Sequence, residues 1–169
     1  LSYISRELPA FMRTIFPLSD RREDTFMAGL SMGGYGALLA ALTAPETFAN
    51  AASLSGSLDI RRFLRGQQPH ISKMPRNYLR ALFQDPMNIP DEYDLPSLLA
   101  GRAAAGSVLP RLYLSCGTED FNLPANDRFY EEASALGASV RYDKHPGGHD
   151  WDYWDTHIKD VLAWLRGEL

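Results

Sequence analysis

Residues 26–41 read FMAGLSMGGYGALLAA. An apolar run of strand length leads up to Ser31, and an Ala- and Leu-rich stretch of helical composition follows it. Between them, Gly29-Leu30-Ser31-Met32-Gly33 fits G-x-S-x-G. The pattern has a physical meaning at a tight strand-to-helix turn. There the serine takes a strained φ/ψ that lifts its hydroxyl clear of the chain, and Cβ atoms two positions away on either side would collide with neighbouring elements. Glycine at 29 and 33 removes those atoms. The N–H of Met32, at the start of the helix, then points toward developing negative charge and is a natural oxyanion donor. A dinucleotide-binding loop is excluded, because Gly34-Tyr35-Gly36 runs on into Ala-Leu-Leu with no third glycine at the needed spacing.

A serine hydroxyl is a poor nucleophile without a base, and the base needs an orienting acid. In strand–turn–helix proteins of this kind the order along the chain is Ser, then Asp or Glu, then His. The acid belongs after a later strand, and CGTEDF (116–121) offers Glu119 and Asp120. The base belongs after the last strand, and SVRYDKHPGGHDW (139–151) offers His145 and His149. His145 sits at the strand's end. His149 follows the flexible Pro-Gly-Gly, where a side chain can swing over the serine. Strand alternation points Glu119 away from Asp120. Asp120 and His149 are therefore the expected acid and base.

The rest of the chain supplies the frame. Residues 3–16 place Ile4, Leu8, Phe11, Met12, Ile15 and Phe16 at near-helical spacing, an amphipathic helix bent or restarted at Pro9. The helix after Ser31 should end before Pro45. Short buried strands are expected within 48–58, 109–117 and 139–145. A helix is expected over 124–136, with Pro124 at its start and Gly137 after its end. A final amphipathic helix should turn Trp154, Ile158, Val161, Leu162 and Leu165 to one side. Strand and helix alternate, so the class is α/β with a mostly parallel sheet and flanking helices. Residues 58–107 carry Pro69, Pro75, Pro86, Pro90 and Pro96 and no clear strand, which reads as a lid-like insertion over the core of one domain.

The totals narrow the partners. The chain has 169 residues, 45% hydrophobic and 22% charged, with a net charge of -4. Nucleic acid and anionic membranes demand concentrated Lys and Arg, and neither is an expected partner. Arg61, Arg62 and Arg65, and the pair Arg21 and Arg22, read as solvated surface. The one cysteine, Cys116, lies in an apolar run and reads as a buried small hydrophobe. His157 reads as a packing or surface residue, and His70, in the insertion, as a residue that touches substrate at most. His145-x-x-x-His149 with Asp150 and Asp152 has no further Cys or His in support, so no metal or other cofactor is expected. Cytoplasmic location is the expectation, although the chain begins with Leu1 and its true N-terminus is not visible.

Three separated motifs, GLSMGGYGAL (29–38), LYLSCGTEDF (112–121) and HPGGHDWDYWD (145–155), resemble the esterase D/tributyrin esterase group of α/β-hydrolases. That group takes in S-formylglutathione hydrolases, acetyl-xylan and feruloyl esterases, and mycolyltransferases. The resemblance runs from about residue 3 to 166 and implies Ser31 as nucleophile, Asp120 as acid and His149 as base. It implies a small-molecule ester of a short-chain or aromatic acyl group as substrate, with acyl transfer, or a noncatalytic binding or structural fragment, as the alternatives. Tyr35, Phe121 and Leu123, beside the motifs, and Trp151 are the expected pocket walls. The family also carries an N-terminal portion that supplies the first half of the sheet and a second oxyanion N–H. The expectation is therefore that this chain is the C-terminal part of a protein longer by roughly 80 to 110 residues. That portion could be a second chain, and a homo-oligomer is also allowed.

Overall fold

The computed structural model describes residues 1–65 and 88–169. Proline-rich positions 69, 75 and 86, and His70, lie outside the described residues. Strand β1 (Phe26–Leu30) runs through Ser31 into helix α2 (Met32–Thr43), which follows a shorter helix α1 (Leu8–Ile15). Strand β2 (Asn50–Leu54), helix α3 (Ile60–Leu64) and helix α4 (Leu95–Ala104) come next. Strand β3 (Arg111–Gly117), helix α5 (Leu123–Ala135), strand β4 (Val140–His145) and helix α6 (Trp151–Leu165) complete the order.

The four strands are parallel and stand in the sheet in their chain order, β1-β2-β3-β4. Parallel neighbours need crossovers, and crossovers are right-handed. Every step goes the same way across the sheet, so α2, α4 and α5 must cover one face. That face packs Leu38, Leu42, Leu95, Leu99 and Phe129 against Ala51, Leu112 and Leu114. Helix α6 follows the last strand and closes the other face, where Tyr153, Trp154, Val161 and Trp164 meet Ala52, Leu54 and Tyr113. The alternation of Leu112 and Leu114 with Tyr113 is the period of two that a doubly covered strand requires.

Several expectations are revised. The N-terminal helix restarts beside Pro9, as expected, but with a change of helix type. A π-type turn at Tyr3–Glu7, closed by Leu8 N–H to the Tyr3 carbonyl, leads into α1, and Pro9 occupies its first turn. A proline needs no acceptor there. None of the α1 side chains is buried, and Phe11, Ile15 and Phe16 face outward. In α6, Leu162 also faces outward while Trp164 is buried, because one residue past Val161 turns the helix by about 100°. Near the ends of the stretch read as an insertion, Leu58, Ile60, Leu95 and Leu99 are fully buried and belong to the core. Arg61 is paired with Asp91 and Asp94, and Arg22 donates to the carbonyls of Pro45 and Leu109, so neither is free surface. Cys116 is fully buried, as expected, and burial pushes its thiol pKa up.

Candidate active site

Parallel strands in register end together, and their carboxyl ends make the natural site of an α/β sheet. Here Leu30, Leu54, Ser115 and Asp143 are successive partners across the four strands. The turns beyond them bring Ser31, Asp120 and His149 together.

Ser31 follows β1 with φ 54° and ψ −121°, a left-handed backbone rare outside glycine. Its place is fixed from the neighbouring strand: its N–H donates to the Leu54 carbonyl (2.9 Å), and its own carbonyl accepts the Ser57 N–H (3.2 Å). A Cβ at Gly29 would overlap the Gly33 carbonyl, so glycine is required at 29. The space around Gly33 is open, contrary to the expectation that its Cβ would collide. The second sterically required glycine is Gly34, where a Cβ would overlap the Ser53 hydroxyl and sit 3.1 Å from Gly56 Cα. Met32 is the first residue of α2, so its N–H has no acceptor inside the helix and is available to an oxyanion.

His149 Nε2 lies 2.9 Å from Ser31 Oγ. His149 Nδ1 lies 2.9 Å from Asp120 Oδ2 and 3.1 Å from Oδ1. The Asp120 side chain is wholly buried and that of His149 is 16% exposed. Burial alone would raise the Asp120 carboxyl, but hydrogen bonds from His149 and from the Asn122 N–H (2.8 Å) outweigh it and hold its pKa below the ordinary 3.8. The imidazole is flanked by the Phe121 ring at 4.4 Å and by the edge of Trp154 at 5.0 Å. Ser31, His149 and Asp120 thus form one hydrogen-bonded chain, an arrangement able to activate a serine for attack on an acyl carbon.

Two asparagines that the sequence reading passed over hold the acid's turn to the turn after β2. Asn122 Nδ2 donates to the Ser55 carbonyl (3.0 Å) and to Ser57 Oγ (3.2 Å), and Asn126 Nδ2 donates to the Gly56 carbonyl (2.9 Å). Both asparagines are fully buried. Ser57 also grips Ser31, so the Ser55–Ser57 turn connects nucleophile to acid. These partners of the 55–57 turn are far away in sequence and were not visible there.

Residues 1–165 match the Esterase family, described as "Putative esterase". The chain belongs to that family. It is 32% identical over 165 residues to an acetyl esterase of Caldicellulosiruptor saccharolyticus, covering 96% of this chain and 62% of the relative. It superposes on S-formylglutathione hydrolase from Staphylococcus aureus with TM-score 0.77 and 31% identity, covering 97% of this chain and 60% of that one. Against the fluorophosphonate-binding serine hydrolase F of Staphylococcus aureus, the TM-score is 0.81 and the identity 31%, covering 94% of this chain and 60% of that one. The fold is that of α/β-hydrolase esterases, and the chain spans about 60% of the length of these relatives.

Within this esterase-family chain the expected pocket walls part company. Phe121 lies against the base, and Trp151 is 71% exposed beside Trp154. Trp151 and Trp154 border an apolar hollow with Ala28, Gly29, Leu30, Leu54, Asp155 and Ile158. Leu123 is half-buried at the start of α5, and its N–H donates to the Asp120 carbonyl (3.0 Å). Tyr35 is 5% exposed, and its hydroxyl donates to the Tyr93 carbonyl (2.6 Å). His145, His157 and Asp160 bring ligand atoms within 4.8 Å of one another. The two imidazoles, however, are stacked 7° from parallel at 4.2 Å, so their in-plane lone pairs run side by side rather than converging on one ion. His157 Nδ1 is already paired with Asp160 at 2.8 Å.

Proposed function

We propose that this chain carries the nucleophile, acid and base of a serine carboxylesterase that cleaves esters of short-chain or aromatic acyl groups. The observation that carries the reading is the continuous Asp120–His149–Ser31 hydrogen-bond chain at the carboxyl ends of the sheet. The ester carbonyl docks against the Met32 N–H. Ser31 Oγ attacks the carbonyl carbon while His149 Nε2 takes its proton, and Asp120 stabilises the resulting imidazolium. The tetrahedral intermediate collapses, His149 returns the proton to the leaving alcohol, and an acyl-Ser31 ester remains. Water then repeats the sequence and releases the acid. An alcohol in place of water makes the same steps an acyl transfer.

We also propose that an N-terminal portion, in the same or a separate polypeptide, completes the site with a second oxyanion donor. Its seat is the unpaired edge of β1, where Phe26 is 44% exposed, together with the neighbouring apolar hollow.

The test is labelling with a fluorophosphonate and hydrolysis of short-chain and aromatic esters, before and after Ser31→Ala. The expected result is a label on the Ser31 peptide and a fall in kcat of about 10⁴-fold or more in the variant. Activity and labelling that survive Ser31→Ala would overturn the esterase reading. Product partition with added alcohol separates hydrolysis from transfer.

A further inference from the structure

Glu119, the carboxylate set aside when the acid was chosen, has a place of its own in the structure. The base is carried by the loop between β4 and α6, Pro146-Gly147-Gly148-His149. Two successive glycines give that loop the widest backbone freedom in the site, and Gly147 holds φ +141°. One residue takes up both backbone groups of Gly147: the Glu119 N–H donates to its carbonyl (3.1 Å), and the Glu119 carboxylate accepts its N–H through Oε2. Thr118 completes the contact, its N–H donating to the His145 carbonyl (2.9 Å) and its hydroxyl to Glu119 Oε1 (2.7 Å). A Cβ at Gly117 would overlap the Gly147 carbonyl, so the two loops touch along their length. The Thr118 hydroxyl and then the Gly147 N–H hold the Glu119 pKa below its ordinary value, and the side chain is exposed.

We infer that Glu119 is a positioning residue: by clamping Gly147 it holds the loop that carries His149, so that the imidazole reaches Ser31 and Asp120 together. The inference rests on the serine-hydrolase reading above. Adjacent residues then act on one histidine by different routes, Asp120 on the ring and Glu119 on the backbone that carries it. The chemical role is that of an acceptor for one N–H, and a carboxamide can fill it.

The experiment compares Glu119→Ala, Glu119→Gln and Ser31→Ala in the whole gene product, by steady-state ester hydrolysis, fluorophosphonate labelling rate and thermal melting. For Glu119→Ala, kcat and labelling rate are expected to fall about tenfold, since small misplacements of a catalytic group are costly. KM should stay within about twofold and melting should shift little, because an exposed side chain contributes little to stability. Glu119→Gln should recover most of the loss. The inference is overturned if Glu119→Ala keeps full kcat, if Gln is impaired as much as Ala, or if KM alone rises. Should Ser31→Ala retain activity, the hydrolase reading fails and takes this inference with it. Should Ser31→Ala be inactive while Glu119→Ala is unaffected, only the positioning role fails.

Discussion

Ser31 holds a left-handed backbone (φ 54°), which costs a non-glycine residue of order 1–3 kcal/mol. The cost is sustained by hydrogen bonds from its backbone to Leu54 and Ser57 and by the close approach of glycine neighbours. The two inner glycines of the motif region make opposite predictions. Gly34→Ala drives a methyl group into Ser53 and Gly56 and should lose about 2 kcal/mol or more, read as a lower urea midpoint. Gly33→Ala meets open space inside a helix and should be neutral or stabilising by up to about 1 kcal/mol. At Asp120 the sign of the pH effect follows from its lowered pKa. Its stabilising contribution is complete well above pH 3.8, the ordinary value, and is lost as the pH falls through the lower folded value. The stability gap between wild type and Asp120→Asn should therefore shrink on going from pH 6 to pH 3 in parallel urea melts. The same variant should lose about 10⁴-fold in kcat at neutral pH. The juxtaposition of Ser31, Asp120 and His149 was legible because each follows a strand of the same parallel sheet, in the chain order a serine, acid and base would take. The burial of Tyr35 was not legible, because adjacency to a motif in sequence says nothing about which side of a helix faces the sheet.

Elements were legible where apolar period and punctuation agreed. Pro124 and Gly137 bracket α5, and Gly137 takes φ +74° as a helix-ending glycine does. Residues 58–107 were read by their prolines and the lack of a clear strand, which record where elements break but not what they bury; Leu95 and Leu99 show no exposure. Asn122 and Asn126 escaped notice for a related reason. A buried amide is explained only by its partners, and those partners are the backbone carbonyls of a turn 67 to 70 residues away. Helix α5 is thus more than packing: its first turn ties the acid to the Ser55–Ser57 turn. Replacing Asn126 by Leu leaves the Gly56 carbonyl without its side-chain donor and should destabilise by about 1–3 kcal/mol. The accompanying fall in kcat should exceed any rise in KM, since the loss reaches the triad through its supports. A variant that melts like wild type and keeps full kcat would remove Asn126 from that role.

On the scale of the whole molecule, right-handed crossovers carry each parallel strand to the next, and the sheet stands in chain order even though the β2–β3 connection is long. The same order leaves β1 at one edge, with Phe26 and Ala28 exposed beside a fully buried β2. An apolar edge of this kind invites further pairing. If an N-terminal portion pairs there, amide hydrogen exchange in residues 26–30 should slow by at least tenfold when that portion is present, with little change in β3. Equal exchange in the two states would place the portion elsewhere.

The hydrogen bond between Ser31 and His149, proposed nucleophile and base, joins residues 118 positions apart. On a ribosome adding about 5–20 residues per second, the nucleophile emerges roughly 6 to 24 seconds before its base. During that interval the serine is chemically inert, because nothing is there to accept its proton. Because the histidine lies so far downstream of the serine, a product terminated between them cannot form the proposed acyl-enzyme.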